Sequence, residues 1–259
     1  MRKFILMLFL YALGICNTLL ANNDGGKVKT VILKNGTYSG SKQGGRMHGQ
    51  GNYQWFDGDR FEGEFVNGQI EGYGRYEWGD GDIYQGEFEG GKQEGKGSAF
   101  YASRGNVYEG EWKQGKRHGN GKLIWSNGDI YDGQWVEDVR SGEGVFIGIV
   151  GDKYEGHYEN NDRNGYGICT YPNGDKYEGQ WVDGKKEGTG IYTFANGNVY
   201  HGQFVNSNWE GRGSFVWTSG AKYEGMFKDG LRDGEGTYTT PSGYVDVGTW
   251  KRDRRIREK

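Results

Sequence analysis

Proline and cysteine are nearly missing from this chain. Two of each occur in 259 residues, and only 34% of the residues are hydrophobic. So little proline excludes a collagen-type triple helix, which needs abundant proline and glycine in a strict triplet. Sparse aliphatic residues argue against a large two-sided core. With Cys16 and Cys169 as the whole supply, and Cys16 in an N-terminal leader, no internal disulfide can hold a processed chain. Disorder is excluded by what is present: 9 Trp, 19 Tyr and 12 Phe are too many aromatics for a solvated chain. Glycine, at 51 residues, is almost three times its usual share of about 7%. Glycine-rich, aromatic-rich and proline-poor composition predicts many short strands joined by tight turns.

The chain starts like an export signal. Arg2 and Lys3 precede an apolar run over residues 4–15, and the sequence turns polar at Asn22. Cleavage after Ala21 is the expected outcome. Cleavage after Cys16, or an uncleaved anchor over residues 4–21, are the alternatives; such an anchor would be at the short end for a bilayer span. Without residues 1–21 the chain carries 30 basic and 35 acidic side chains.

The remainder repeats. Tyr38, Phe61, Tyr84, Tyr108, Tyr131, Tyr154, Tyr177, Tyr200 and Tyr223 each open a repeat, and Asp246 opens an incomplete tenth. The spacing is 23 residues, except for 24 between Tyr84 and Tyr108. Counting that first residue as place one, place three is always glycine. Place five is aromatic in every full repeat but the first, where Lys42 stands. Tyr108-Glu109-Gly110-Glu111-Trp112 alternates in period two and reads as a strand with its rings on one face. A polar turn containing Gly115 and Gly119 is expected next, then a second strand from about Gly121 to Trp125. Asn127-Gly128 should close a tight hairpin turn, as should Asp57-Gly58, Asn173-Gly174 and Asn196-Gly197. The fold class is therefore all-β: an elongated ribbon of about nine two-stranded hairpins in one twisted antiparallel meander. Rings lying over glycine backbone would hold it, each repeat buried only by its neighbours. The expected organisation is a signal over 1–21, a lead-in strand over 22–37, the array over 38–250 and a basic tail over 251–259.

The run Tyr-Glu-Gly-Glu-Trp-x-x-Gly-x-x-x-Gly-x-Gly from Tyr108 to Gly121 resembles the MORN (membrane occupation and recognition nexus) repeat. Tyr177-Glu-Gly-Gln-Trp181 and Tyr223-Glu-Gly-Met-Phe227 match it too. The resemblance covers nearly all of residues 38–250. Asp138, Asn161 and Ser207 depart from it by replacing the glycine of place eight. The resemblance implies membrane or phospholipid-headgroup association as one function.

Motifs for chemistry are weak. Gly86 to Lys92, Gly110 to Lys116 and Gly179 to Lys185 match the front of a phosphate-binding loop. Gln93, Arg117 and Lys186 follow where Ser or Thr is needed, and no helix is expected. Residues 160–171 lack the first Asp and last Glu of a calcium loop. His48 and His118 are expected in turns, and His157 and His201 on outer faces. Cys169 reads as a small core residue. Carboxylates such as Glu62, Glu109, Glu155, Glu178 and Glu224 form a ladder, whereas a catalytic pair is singular. No enzyme activity, cofactor or metal is expected.

The expected function is an exported, non-enzymatic scaffold for a protein partner or for self-association. Its binding and structural ladder would be Tyr84, Phe88, Tyr108, Trp112, Tyr131, Trp135, Tyr154, Tyr177, Trp181, Tyr200 and Phe204. The alternative is peripheral contact with anionic lipid, aided by the tail residues Lys251, Arg252, Arg254, Arg255, Arg257 and Lys259. Nucleic acid is not expected, because the body of the chain is acidic.

Overall fold

The computed structural model describes residues 30–256, so the leader and the last tail residues, including Arg257 and Lys259, lie outside it. The described residues form twenty-one strands, β1 (Thr30–Leu33) to β21 (Arg254–Arg255), with no helix among them. The chain clusters into two compact units, Met1–Val139 and Arg140–Lys259. In the first, β1 through β10 (Ile130–Val136) pair in sequence order, always antiparallel. In the second, β11 (Val139–Ile147) through β21 do the same. The all-β class and the meander of repeated hairpins are as the sequence predicts.

The turns are not. In the repeat starting at Tyr108, β8 (Asn106–Lys113) is followed after two residues by β9 (Lys116–Ile124). Gln114 and Gly115 sit at φ of +52° and +84°, the type I′ signature that matches strand twist. The second strand therefore starts at Lys116, not near Gly121. His48 and His118 lie within strands, not turns. Asn127-Gly128 belongs to a longer loop, closed by bonds from the Trp125 amide to the Asp129 carbonyl and from the Gly128 amide to the Trp125 carbonyl. Only its glycine takes positive φ.

Early entry into β9 is absorbed by a bulge. The register slips between Gly110 and Glu111, opposite Gly119, whose φ is +56°. The interrupted ladder leaves the place-four carbonyl to other donors. Tyr108 supplies one, its hydroxyl donating to the Glu111 carbonyl at 3.0 Å. Tyr38, Tyr84, Tyr131, Tyr154, Tyr177, Tyr200 and Tyr223 repeat the bond. The same geometry lays each ring across two glycines. A Cβ at Gly110 would fall 2.6 Å from the Tyr108 hydroxyl, and one at Gly121 would fall 2.6 Å from Tyr108 Cε2. The covering ring thus belongs to the glycine's own repeat, not to a neighbour. Tyr177→Phe should remove the hydroxyl donor from the Gln180 carbonyl and lower stability by about 1 kcal/mol. An unchanged urea midpoint would refute that role.

Neighbouring repeats are stapled at both ends of their strands. At one end, the place-eleven carboxylates Glu71, Glu94, Glu187 and Glu210 accept the place-seven amide of the next repeat. At the other, Asp59, Asp82, Asn106, Asp175 and Asn198 accept the amide just past the next repeat's second strand. Asp175 also accepts the Tyr192 hydroxyl at 2.7 Å, and this bond leads the interactions holding its carboxyl below the usual range. A depressed folded value stabilises the fold at pH above the unfolded pKa of about 3.9. That stabilisation is lost as pH falls through the folded value. Urea midpoints measured from pH 5 down to pH 2 should therefore fall less steeply for Asp175→Asn than for the parent chain. Parallel curves would contradict the assignment.

Candidate functional site

The face that carries the rings is the candidate. Place-one and place-five side chains form a continuous edge-to-face series within each compact unit. Tyr108 meets Trp112 at 5.2 Å and Trp135 at 5.6 Å between centroids, with interplanar angles of 88° and 87°. Tyr177 meets Trp181 at 5.2 Å and Phe204 at 4.9 Å. Such pairs add about 0.5–1.5 kcal/mol each beyond area burial. Where place five is tryptophan, its indole N–H can reach back one repeat. Trp112, Trp135 and Trp181 donate to the carbonyls of Gly97, Gly121 and Gly167.

All eleven ladder residues named from the sequence are buried: Tyr84, Phe88, Tyr108, Trp112, Tyr131, Trp135, Tyr154, Tyr177, Trp181, Tyr200 and Phe204. None is more than 6% exposed. They hold the sheet, and a ligand does not reach them. The accessible part of this face is a second row that sequence reading left out. It comprises the place-eighteen rings Trp55, Trp78 and Trp125, with Tyr101, in the first compact unit. In the second it comprises Tyr171, Phe194 and Trp217. These seven are half-buried, and Trp55, Trp78, Tyr171, Phe194 and Trp217 lie beside place-sixteen rings. Tyr53 meets Trp55 at 4.3 Å, and Tyr192 meets Phe194 at 4.8 Å. The signal for this row was present as an aromatic seventeen residues after every start but Tyr131 and Tyr223, where Gly148 and Thr240 stand, and alternation places it on the ladder's face.

Place ten adds cations to the same face. Arg117 lies 4.3 Å from the Trp135 ring centroid, Arg163 lies 4.7 Å from that of Tyr154, and Lys186 lies 4.8 Å from that of Tyr192. The departures at place eight prove to be partners for these cations. Asp138 accepts the Arg117 amide at 3.1 Å and its Nε at 2.9 Å. Asn161 engages Arg140 with its side-chain oxygen and its carbonyl. Asp253 repeats the arrangement for Arg232. Asp138, Asn161 and Asp253 take φ of 68–73°, a region Asn and Asp tolerate better than other non-glycine residues. Ser207 offers only its hydroxyl, to the Lys186 amide.

The opposite face is a field of short ion pairs. Arg60–Glu62, Lys153–Glu155, Lys176–Glu178 and Lys222–Glu224 are all solvent-exposed or half-exposed. Hydrogen bonding from Lys153 lowers the Glu155 carboxyl below its ordinary range, and bonds from Tyr166 and Lys176 do so for Glu178. His157 and His201 are exposed, and His157 Nδ1 lies 3.1 Å from Glu143. Lys92, Lys116 and Lys185 begin strands straight after a two-residue turn, so no helix N-terminus follows the phosphate-loop-like stretches. Among the described residues no group of three or more His, Cys, Asp or Glu is placed to hold a metal ion. No helix among them is long and apolar enough to cross a membrane.

Cys169 is 1% exposed, with the Arg163 guanidinium 3.6 Å from its sulfur. A thiol reagent should label it in denaturant and not in buffer; fast labelling of the native chain would contradict this packing. The basic tail is less free than its composition implies. Lys251 ends β20 (Val245–Lys251) and pairs with Asp233 at 3.2 Å. Arg252 sits in a two-residue turn with Asp253, and Arg255 pairs with Asp246 at 3.3 Å.

Comparison with solved structures finds distant likenesses. The TCP domain of SAS-4 from Drosophila melanogaster, solved with a proline-rich motif of Ana2, is 16% identical with a TM-score of 0.39. That match covers 60% of this chain and 85% of the other. The TCP10 domain of Danio rerio CPAP is 12% identical with a TM-score of 0.44, over 76% of this chain and 93% of the other. No curated protein sequence matches. The MORN-repeat family model matches nine times, at 38–60, 61–83, 84–105, 108–130, 131–153, 154–176, 177–199, 200–222 and 223–243. Most of the chain is thereby accounted for, repeat by repeat, and it belongs to the MORN-repeat family.

Proposed function

We propose that this MORN-repeat chain is a non-enzymatic, exported scaffold whose aromatic face binds an extended segment of a protein partner. One observation carries the reading: the row of half-buried rings, Trp55, Trp78 and Trp125 in one compact unit and Tyr171, Phe194 and Trp217 in the other. These rings keep an accessible surface while the ladder beneath them is closed. Aromatics with cations beside them are the side chains that most often anchor protein interfaces. The non-enzymatic part is supported by chemistry. The outer-face carboxylates Glu62, Glu155, Glu178 and Glu224 are paired with adjacent lysines or arginines, and Glu155 and Glu178, held below the usual range, are poor general acids at neutral pH. Export rests on the charged, apolar and then polar order of residues 1–23.

The test is selection of a displayed random-peptide library on the full chain, with a Tyr171→Ser/Phe194→Ser/Trp217→Ser chain as counter-target. Peptides retained by the parent and lost on the variant support the reading. Peptides that bind both equally would refute it.

A second reading, contact with anionic lipid, is favoured by the exposure of Arg252 and Arg254. Lys251 and Arg255 are already paired with carboxylates, which lowers their pull on a headgroup. Sedimentation with anionic vesicles at physiological salt, with and without residues 251–259, decides it. Binding lost with the tail would reduce the lipid contact to electrostatics.

A further inference from the structure

Two cations on the aromatic face lack the partner that their counterparts have. Arg117 and Arg232 are held by Asp138 and Asp253 of the following repeat, at 2.9 and 3.0 Å. The equivalent position after Arg163 is Gly184, and after Lys186 it is Ser207. Neither Arg163 nor Lys186 forms an ion pair among the described residues. Both are half-buried against rings. Arg163 lies 4.7 Å from the Tyr154 centroid and 5.2 Å from that of Trp181. Lys186 lies over Tyr171, Tyr177 and Tyr192 at 5.2, 5.5 and 4.8 Å. The carboxylate that acts on Lys186 is Asp175, which is already bonded to the Tyr192 hydroxyl and the Ala195 amide. Burial lowers the Lys186 ammonium from its ordinary pKa, so its charge is held at a cost that an external anion would relieve.

We infer that Arg163 and Lys186 form the anchor for an acidic peptide segment with two carboxylates about three residues apart. The inference rests on the protein-partner reading above and names the partner's chemistry. Charge complementarity selects an acidic occupant, and the flanking half-buried Tyr171, Tyr192 and Phe194 select a chain with apolar side chains between its acids. The spacing follows from the sheet. Arg163 and Lys186 sit one repeat apart, two strand spacings or roughly 10 Å. A polyproline-type peptide rises about 3.1 Å per residue with three residues per turn, so every third side chain returns to the same side and meets the next repeat.

The structure itself supplies the test. Gly184 has φ of +75°, against +73° for Asp138, and the one atom a Cβ there would approach is Asp162 Oδ1, at 4.0 Å. Gly184→Asp should therefore install the missing bridge to Arg163 and occupy its charge, at the cost of the left-handed strain that Asp138 already bears, so its urea midpoint is measured beside the parent's. The probe is a short dye-labelled peptide with Glu at two positions about three apart among Pro, Ala and Leu. A Gln copy of it and vesicles containing phosphatidylserine serve as comparators. On the full chain the Glu peptide should bind, and the Gln copy about tenfold or more weaker. Gly184→Asp combined with Lys186→Gln should weaken the Glu peptide about tenfold or more, whereas Arg232→Gln should leave it unchanged. Three results would overturn the inference. Equal binding of both peptides, lost only on the Tyr171→Ser/Phe194→Ser/Trp217→Ser chain, would remove the anchor but leave the aromatic-face reading standing. No peptide binding by a chain that still selects other peptides from the library would do the same. Vesicle binding sensitive to Gly184→Asp, without peptide binding, would assign the cations to lipid.

Discussion

Trp135→Ala is expected to destabilise the first compact unit by about 3–5 kcal/mol, the range for deleting a large buried aromatic. Trp135 is 3% exposed. Its ring packs edge-to-face on Tyr108 and on Tyr131, at 5.6 and 5.2 Å. Its indole donates to the Gly121 carbonyl at 2.9 Å, and Arg117 lies over it at 4.3 Å. Deletion would leave a cavity, an unpaired carbonyl and an arginine without its platform. Each repeat is buried only by its neighbours, so the damage should be local: hydrogen exchange should rise over β9 and β10 well before it rises over β2 (Gly36–Gln43). Trp135→Phe should recover most of the loss. Phe65, Phe88, Phe204 and Phe227 already fill the same place, so only the indole bond, about 1 kcal/mol, is forfeited. A Trp135→Ala chain within about 1 kcal/mol of the parent would show that the ladder is not the core.

Gly121→Ala should cost about 3 kcal/mol, the upper end for inserting one carbon into a packed core. Its Cβ would lie 2.6 Å from Tyr108 Cε2 and closer still to the hydroxyl end of the ring. The ring has no retreat, since Trp112 and Trp135 flank it and its hydroxyl is held by the Glu111 carbonyl. Gly90→Ala is the contrast. Gly90 has φ of +56° and nothing within 4 Å of its Cβ, so only left-handed strain of about 1–2 kcal/mol applies. Tryptophan fluorescence in a denaturant series would separate the two. Equal losses would mean that backbone conformation, and not ring-over-glycine packing, selects glycine in the strands.

Much of this molecule was legible before its coordinates. Alternation in Tyr108 to Trp112, repeated at a constant spacing, is enough to assign a strand, its inward face and the hairpin array. That the rings bury themselves on glycine followed from glycine and aromatic sharing a parity. Loop length was not legible. Asn127-Gly128 and Gln114-Gly115 both carry a residue that accepts positive φ, and propensity does not say which pair closes the two-residue turn. The bulge at Gly110–Glu111 decided that, because a slip of register is a property of two paired strands and not of either alone. The tail was misread for a related reason: composition counts the charges of Lys251 and Arg255 but not the carboxylates of Asp233 and Asp246 that meet them.

The proposed binding surface divides the same way. Burial removed the place-one and place-five rings from contact and left the place-eighteen rings half-open, a distinction that alternation cannot make because both rows share a face. Asp138 and Asn161 read in the sequence as lapses from glycine, and Asp253 holds the same place in the incomplete last repeat. Pairing places each of them opposite an arginine from the preceding repeat, 21 residues earlier in the chain. Arg163 and Lys186 look no different from Arg117 along the sequence. The periodic order of rings and glycines was thus set by the sequence alone, since local sterics and strand parity act within one repeat. Which charges are matched, and which stay open to a partner, was decided only by tertiary structure, because it depends on what the next repeat presents across the sheet.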